Sequence, residues 1–178
     1  MRYAALLRGI NVGGNKTVSM AELRDFAARL GLDDPRTLLN SGNLVFASRT
    51  AAQKLESVLE TETKKRFGLE TRYFLRTADE WKSAVDANPF RVAAASDPAR
   101  LVVIFLRDAP AAKNVKALQA AIVGRETVRA VGRQAYVIYP DGSGESKLTL
   151  PLIEKALGTI GTGRNWNTVM KITGLLID

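Results

Sequence analysis

Met1–Leu7 reads as a strand that is apolar from Tyr3 onward, with Tyr3, Ala5 and Leu7 on one face and Ala4 and Leu6 on the other. A strand apolar on both faces is expected to be covered on both sides. The period then changes. Ser19-Met20-Ala21-Glu22 has the form of a capping box, with Val18 and Leu23 placed as its staple. The helix it predicts carries Leu23, Phe26, Ala27 and Leu30 on one stripe and stops at Gly31. Two short strand-like runs, Thr37–Asn40 and Asn43–Ala47, flank Ser41-Gly42 and predict a hairpin. Thr50-Ala51-Ala52-Gln53 reads as a second capping box, ahead of a long helix ending near Phe67 and Gly68. Glu70–Leu75 follows as a strand, and Thr77-Ala78-Asp79-Glu80 opens a short helix that fails before Pro89.

Strand, helix, strand, strand, helix, strand is the order of a ferredoxin-like unit. Residues 89–99 read as a connector, after which the pattern restarts. Leu101–Leu106 predicts a strand, Ala112–Val123 a helix, and Val128–Val131 with Gln134–Tyr139 a hairpin across Gly132-Arg133. Leu150–Leu157 predicts a short helix, with Thr149 as cap and Pro151 in its first turn. No closing strand is visible after it, and the chain finishes with a helix over Thr168–Leu175. The expected fold is α+β: two ferredoxin-like α/β sandwich subdomains, residues 1–88 and 100–178, the second incomplete and closed by a C-terminal helix.

Two absences restrict the chemistry. The 178 residues include no Cys and no His. A disulfide, a thiolate nucleophile, a Ser-His-Asp triad and a His/Cys zinc site are therefore excluded. Net charge is +8, an excess that favours encounter with polyanions as well as solubility. No apolar run approaches the roughly 20 residues that span a bilayer, and the N-terminus lacks a signal-peptide layout. The expected setting is cytoplasmic, with no membrane partner.

The polar motifs are expected to carry any function. Arg8-Gly9-Ile10-Asn11-Val12-Gly13-Gly14-Asn15-Lys16 runs directly out of the first strand. Such a loop offers backbone N–H groups beside fixed positive charge, which suits an anion. Its glycine spacing matches neither the dinucleotide fingerprint nor a phosphate-binding P-loop, so no cofactor is expected. Asn40-Ser41-Gly42-Asn43 and Arg164-Asn165-Trp166-Asn167-Thr168 have the same polar character. Turn chemistry alone accounts for much of the first two motifs, and helix capping accounts for one asparagine of the third.

The expected site is a cleft holding an anionic small molecule or nucleic-acid phosphate. Its candidate residues are Arg8, Asn11, Gly13, Lys16, Ser41, Asn43, Arg164, Asn165 and Asn167. Two alternatives stay open. One is an enzyme acting on a phosphorylated or carboxylated small molecule through Lys16 or Ser41 with Arg8; the other is a charge-driven general nucleic-acid binder. No metal is expected, because no carboxylate cluster has metal-ligand spacing.

Leu7-Arg8-Gly9-Ile10-Asn11-Val12-Gly13-Gly14, Met20-Ala21-Glu22-Leu23-Arg24, Ser41-Gly42-Asn43-Leu44-Val45-Phe46 and Arg164-Asn165-Trp166-Asn167-Thr168 occur in that order. Together they resemble the domain of unknown function 1697 family of bacterial proteins, over essentially the whole chain. The resemblance implies a cytosolic α/β protein with ferredoxin-like subdomains and carries no established activity, so it transfers no catalytic residue. It marks Arg8, Asn11, Gly13, Ser41, Gly42, Asn43, Arg164, Asn165 and Asn167 as signature positions. Asn40 departs from it, standing where the family pattern implies Gln, a longer amide.

Overall fold

The N-terminal alternation forms strand β1 (Arg2–Leu7), and the capping box at Ser19 opens helix α1 (Met20–Arg29). Both halves of that box are made: Ser19 Oγ accepts from Glu22 N, and Glu22 accepts from Ser19 N. A computed structural model describes residues 1–11 and 17–177. The chain continues through β2 (Asp33–Leu38), β3 (Asn43–Ala47), α2 (Ala52–Phe67), β4 (Tyr73–Thr77) and α3 (Ala78–Asp86). The connector expected over 89–99 holds a short helix, α4 (Arg91–Ser96), and a 3-10 turn, Pro98–Arg100. Then follow β5 (Leu101–Leu106), α5 (Ala112–Ala121), β6 (Thr127–Val131), β7 (Gln134–Ile138), α6 (Leu150–Leu157), β8 (Gly161–Asn165) and α7 (Trp166–Ile177).

Two four-stranded antiparallel sheets result, in the orders β2-β3-β1-β4 and β6-β7-β5-β8. Both have the ferredoxin-like order, with the first strand of each repeat inside and the last at an edge. The α+β class with two ferredoxin-like subdomains stands, with one correction: the second subdomain is complete. Its fourth strand, β8, has the sequence Gly161-Thr162-Gly163-Arg164-Asn165. Glycine, asparagine and the lack of any apolar residue make it a poor strand by propensity. Pairing with β5 along the whole length of β8, from Val102↔Asn165 to Leu106↔Gly161, overrides that preference.

A second correction concerns α2. Its N-cap is Ala51, and no side chain caps it; Thr50 N donates instead to Ser48 Oγ.

Two compact units are formed, Met1–Ser83 with Lys171–Asp178, and Ala84–Met170. In the first, Tyr3, Ala5, Leu7, Phe46, Tyr73 and Leu75 of the sheet pack on Leu23 and Phe26 of α1 and on Leu55 and Leu59 of α2. In the second, Ile104, Leu106, Ala135 and Val137 pack on Leu118 of α5 and on Ile153 and Leu157 of α6. The opposite faces are buried too, through Ala4, Leu6 and Phe74 in one sheet and Val103, Phe105 and Tyr136 in the other. The two-sided apolarity of β1 is thereby explained. Among the described residues, no helix is long and apolar enough to cross a membrane.

Candidate functional site

The first unit brings Asn11, Ser41 and Asn43 together. Asn11 sits in the left-handed region at φ 54, after Gly9 at φ 64. Its Nδ2 donates to the carbonyls of Val18 (3.0 Å) and Asn40 (2.6 Å), while its Oδ1 accepts from Val18 N (2.9 Å). One side-chain amide thus ties the end of β1 to the entry of α1 and to the β2–β3 turn. Asn43 is 1% exposed, and its Nδ2 donates to Leu38 O (2.8 Å) and Ser41 Oγ (2.9 Å). Gly42 has φ 76, and a Cβ there would lie 2.7 Å from Ile10 Cδ1 and 2.9 Å from Leu7 Cβ. These contacts give the two asparagines and the glycine a structural role: they fix three chain segments against one another. Gly13 and Lys16 lie outside the described residues.

Arg8 contributes to a different feature. An open groove of about 560 Å³ is lined by Arg8, Gly9, Glu60, Thr61, Lys64, Glu70, Thr71 and Arg72. It lies between the end of β1, the last two turns of α2 and the segment leading into β4. The hydroxyl of Thr71 donates to Arg8 O (2.8 Å), and Arg8 N donates to Arg72 O (3.0 Å), so backbone geometry fixes this corner. Arg72 pairs with Glu60 at 2.9 Å, and Lys64 pairs with Glu70. The two pairs differ in character. Glu60 also accepts from Tyr73 N and is only 17% exposed, whereas Lys64 and Glu70 are 63% and 76% exposed. An ion pair as exposed as the latter contributes about 0–1 kcal/mol and yields readily to a competing anion.

Asn11, Ser41 and Asn43 do not line this groove. Conversely, Glu60, Thr61, Lys64, Thr71 and Arg72 were not among the residues predicted from sequence. Lys64-Lys65-Arg66 reads as a solvated helix terminus that complements the dipole, and nothing local distinguishes Lys64 within it. The groove exists because Gly68, at φ 67, ends α2 and turns the chain back toward β1.

The third motif lies in the second unit. Arg164 occupies β8 opposite Val103 and is 7% exposed. Its guanidinium donates to Thr162 Oγ1 and to Gly163 O, both at 2.8 Å. Burial pushes its pKa down to about 10, which still leaves it charged at neutral pH. Asn165 is the N-cap of α7, its Oδ1 accepting from Thr168 N at 3.0 Å. Trp166 is buried and Asn167 is exposed in the first turn of α7.

The two units repeat one another in detail. Arg107, at the end of β5, holds the position of Arg8, and Thr159 holds that of Thr71: Asp108 N donates to Thr159 Oγ1 at 3.1 Å. A second groove of about 490 Å³ lies at this corner, lined by Arg107, Asp108, Glu154, Lys155 and Thr159 among others. It lacks a counterpart of Arg72, because Ile160 stands there. No group of three or more Asp, Glu, His or Cys able to hold a metal is present among the described residues.

A family model described as "Protein of unknown function (DUF1697)" matches residues 1–136. A solved structure described as a conserved bacterial protein from Streptococcus pneumoniae is 27% identical. It superposes with a TM-score of 0.76 over 98% of this chain and 98% of that one. No curated protein matches.

Proposed function

We propose, for a chain that belongs to the DUF1697 family of proteins of unknown function, that it binds a small anion in the Arg8 groove of its first unit. The observation that carries this reading is the convergence of Arg8, Lys64 and Arg72 with the hydroxyl of Thr61 around one opening, while Thr71 spends its own hydroxyl bracing the carbonyl of Arg8. Gly9 borders the same opening in a left-handed conformation, with open space where a Cβ would stand. Its backbone is therefore approachable by a ligand. Three cations against two carboxylates leave the lining one charge positive. The exposed Lys64–Glu70 pair is the one a ligand displaces, while Glu60 keeps Arg72 aimed.

The proposed site is smaller than the three-motif cleft expected from sequence. The asparagines at 11 and 43 support its frame, and Arg164 takes no part in it. A charge-assisted hydrogen bond from Arg8 contributes roughly 1.5–3 kcal/mol.

Calorimetric titration with inorganic pyrophosphate tests the reading. Arg8→Ala is expected to weaken binding about 10- to 100-fold, and Lys113→Ala, in the other unit, to leave it unchanged. Pyrophosphate binding that survives Arg8→Ala at full strength contradicts the proposal.

A further inference from the structure

We propose a second, independent site in the second unit: a pocket that accepts a small, neutral phenolic ring. Equivalent positions in the two repeats carry side chains of different size. In the first unit, β1 and β4 set Tyr3 opposite Thr77, Ala5 opposite Leu75 and Leu7 opposite Tyr73. In the second, β5 and β8 set Val102 opposite Asn165, Ile104 opposite Gly163 and Leu106 opposite Gly161. On the third strands, Phe46 faces Tyr3 where Val137 faces Val102. Three aromatic rings of the first unit therefore become two valines and a glycine in the second; Ile104 and Leu106 close in over Gly161, and the space that stays open is beside Val102, where Tyr3 stands in the first unit.

The covering helix shrinks as well. α2 has 16 residues and α6 has 8, a loss of about 12 Å of helix at 1.5 Å per residue. The segment before α6 takes the place of those missing turns, and it does not close the space. An open groove of about 490 Å³ remains, with Val102, Ile104 and Gly163 lining it from the sheet and Tyr139, Leu148 and Leu150 from the far side.

The chemistry of the lining selects the ligand. Ser143, Thr149 and Asn165 supply polar groups, and no charged side chain lines the groove. An ion finds no opposite charge there, whereas the aliphatic wall of Val102, Ile104, Leu148 and Leu150 suits a neutral ring. The first unit indicates what such a space holds when it is filled. The ring of Tyr3 lies 5.7 Å from that of Phe46, and its hydroxyl donates to Thr50 O, just ahead of α2. A free phenol would reproduce that arrangement, with its ring over Val102 and its hydroxyl toward the segment ahead of α6. Tyr139 does not take this place: its hydroxyl already donates to Leu148 O and holds the wall.

The probe is p-cresol, which is the tyrosine side chain as a free molecule. Titration into the full chain, followed by methyl resonances, is expected to shift Val102, Ile104, Leu148 and Leu150 saturably. Gly163→Leu fills the groove from β8, and Val102→Phe fills it from β5; each is expected to abolish saturable binding. A folded spectrum from either variant suffices for the test. Saturable binding that persists in a folded variant overturns the proposal, as does p-toluate binding more tightly than p-cresol, or the absence of any saturable shift. Arg8→Ala is expected to leave p-cresol binding unchanged, so failure here and failure of the anion site are read separately.

Discussion

Single residues in this protein act mainly as braces. Gly42 combines a positive φ with a Cβ position only 2.7 Å from Ile10, so Gly42→Ala incurs both strain and overpacking. It is expected to lower stability by about 1–3 kcal/mol, read from the denaturant midpoint. Asn43 is itself buried, and Asn43→Ala removes the partner of the Leu38 carbonyl, with an expected loss of about 1–3 kcal/mol. The buried tyrosines set the alkaline limit. Burial raises Tyr136 and Tyr139 to about 12, and raises Tyr73 as well. Above pH 10 the unfolded chain loses these phenolic protons while the native chain keeps them. Stability is thus intact below pH 10 and falls between about 10 and 12. Each tyrosine contributes up to about 1.4 kcal/mol per pH unit. Arg164 acts in the opposite sense, because its lowered pKa lets the native state release its proton first. The net slope is expected to be negative, since three tyrosines oppose one arginine; a stability that rises from pH 10 to 12 contradicts this assignment.

At the scale of elements, sequence legibility followed the strength of local signals. The boxes at Ser19 and Thr77 were readable because both partners lie within four residues, and both form. The sequence at Thr50 has the same form but makes no box: the N-cap is Ala51, and the Thr50 amide donates to Ser48 Oγ. β8 was invisible because its burial comes from pairing with β5, some 60 positions earlier, and not from its own composition. The groove was half legible. Arg8 stood out beside its glycines, whereas Lys64, Thr71 and Arg72 are brought to it by the α2–β4 return. Each closing strand ends in a cap for the helix after it, Thr77 for α3 and Asn165 for α7. Asn165→Ala is expected to cost about 1 kcal/mol, with Asn165→Asp retaining most of the stability; thermal melts compare the two.

At the scale of the molecule, a repeated topology treats its equivalent corners differently. The first unit fills the space under its second helix and keeps three cations at its groove. The second leaves that space open and replaces the third cation with Ile160. The net charge of +8 predicts weak oligonucleotide binding that falls steeply with salt. Such binding is expected to persist in Arg8→Ala, because it draws on the whole surface, whereas pyrophosphate binding is not. The most direct measurement is an amide-resolved titration of the intact chain with pyrophosphate. Anion binding in the groove is expected to give its largest shifts at Gly9, Thr61, Thr71 and Arg72. Shifts confined to the Ser41–Asn43 turn or to the second unit, with the groove silent, contradict it.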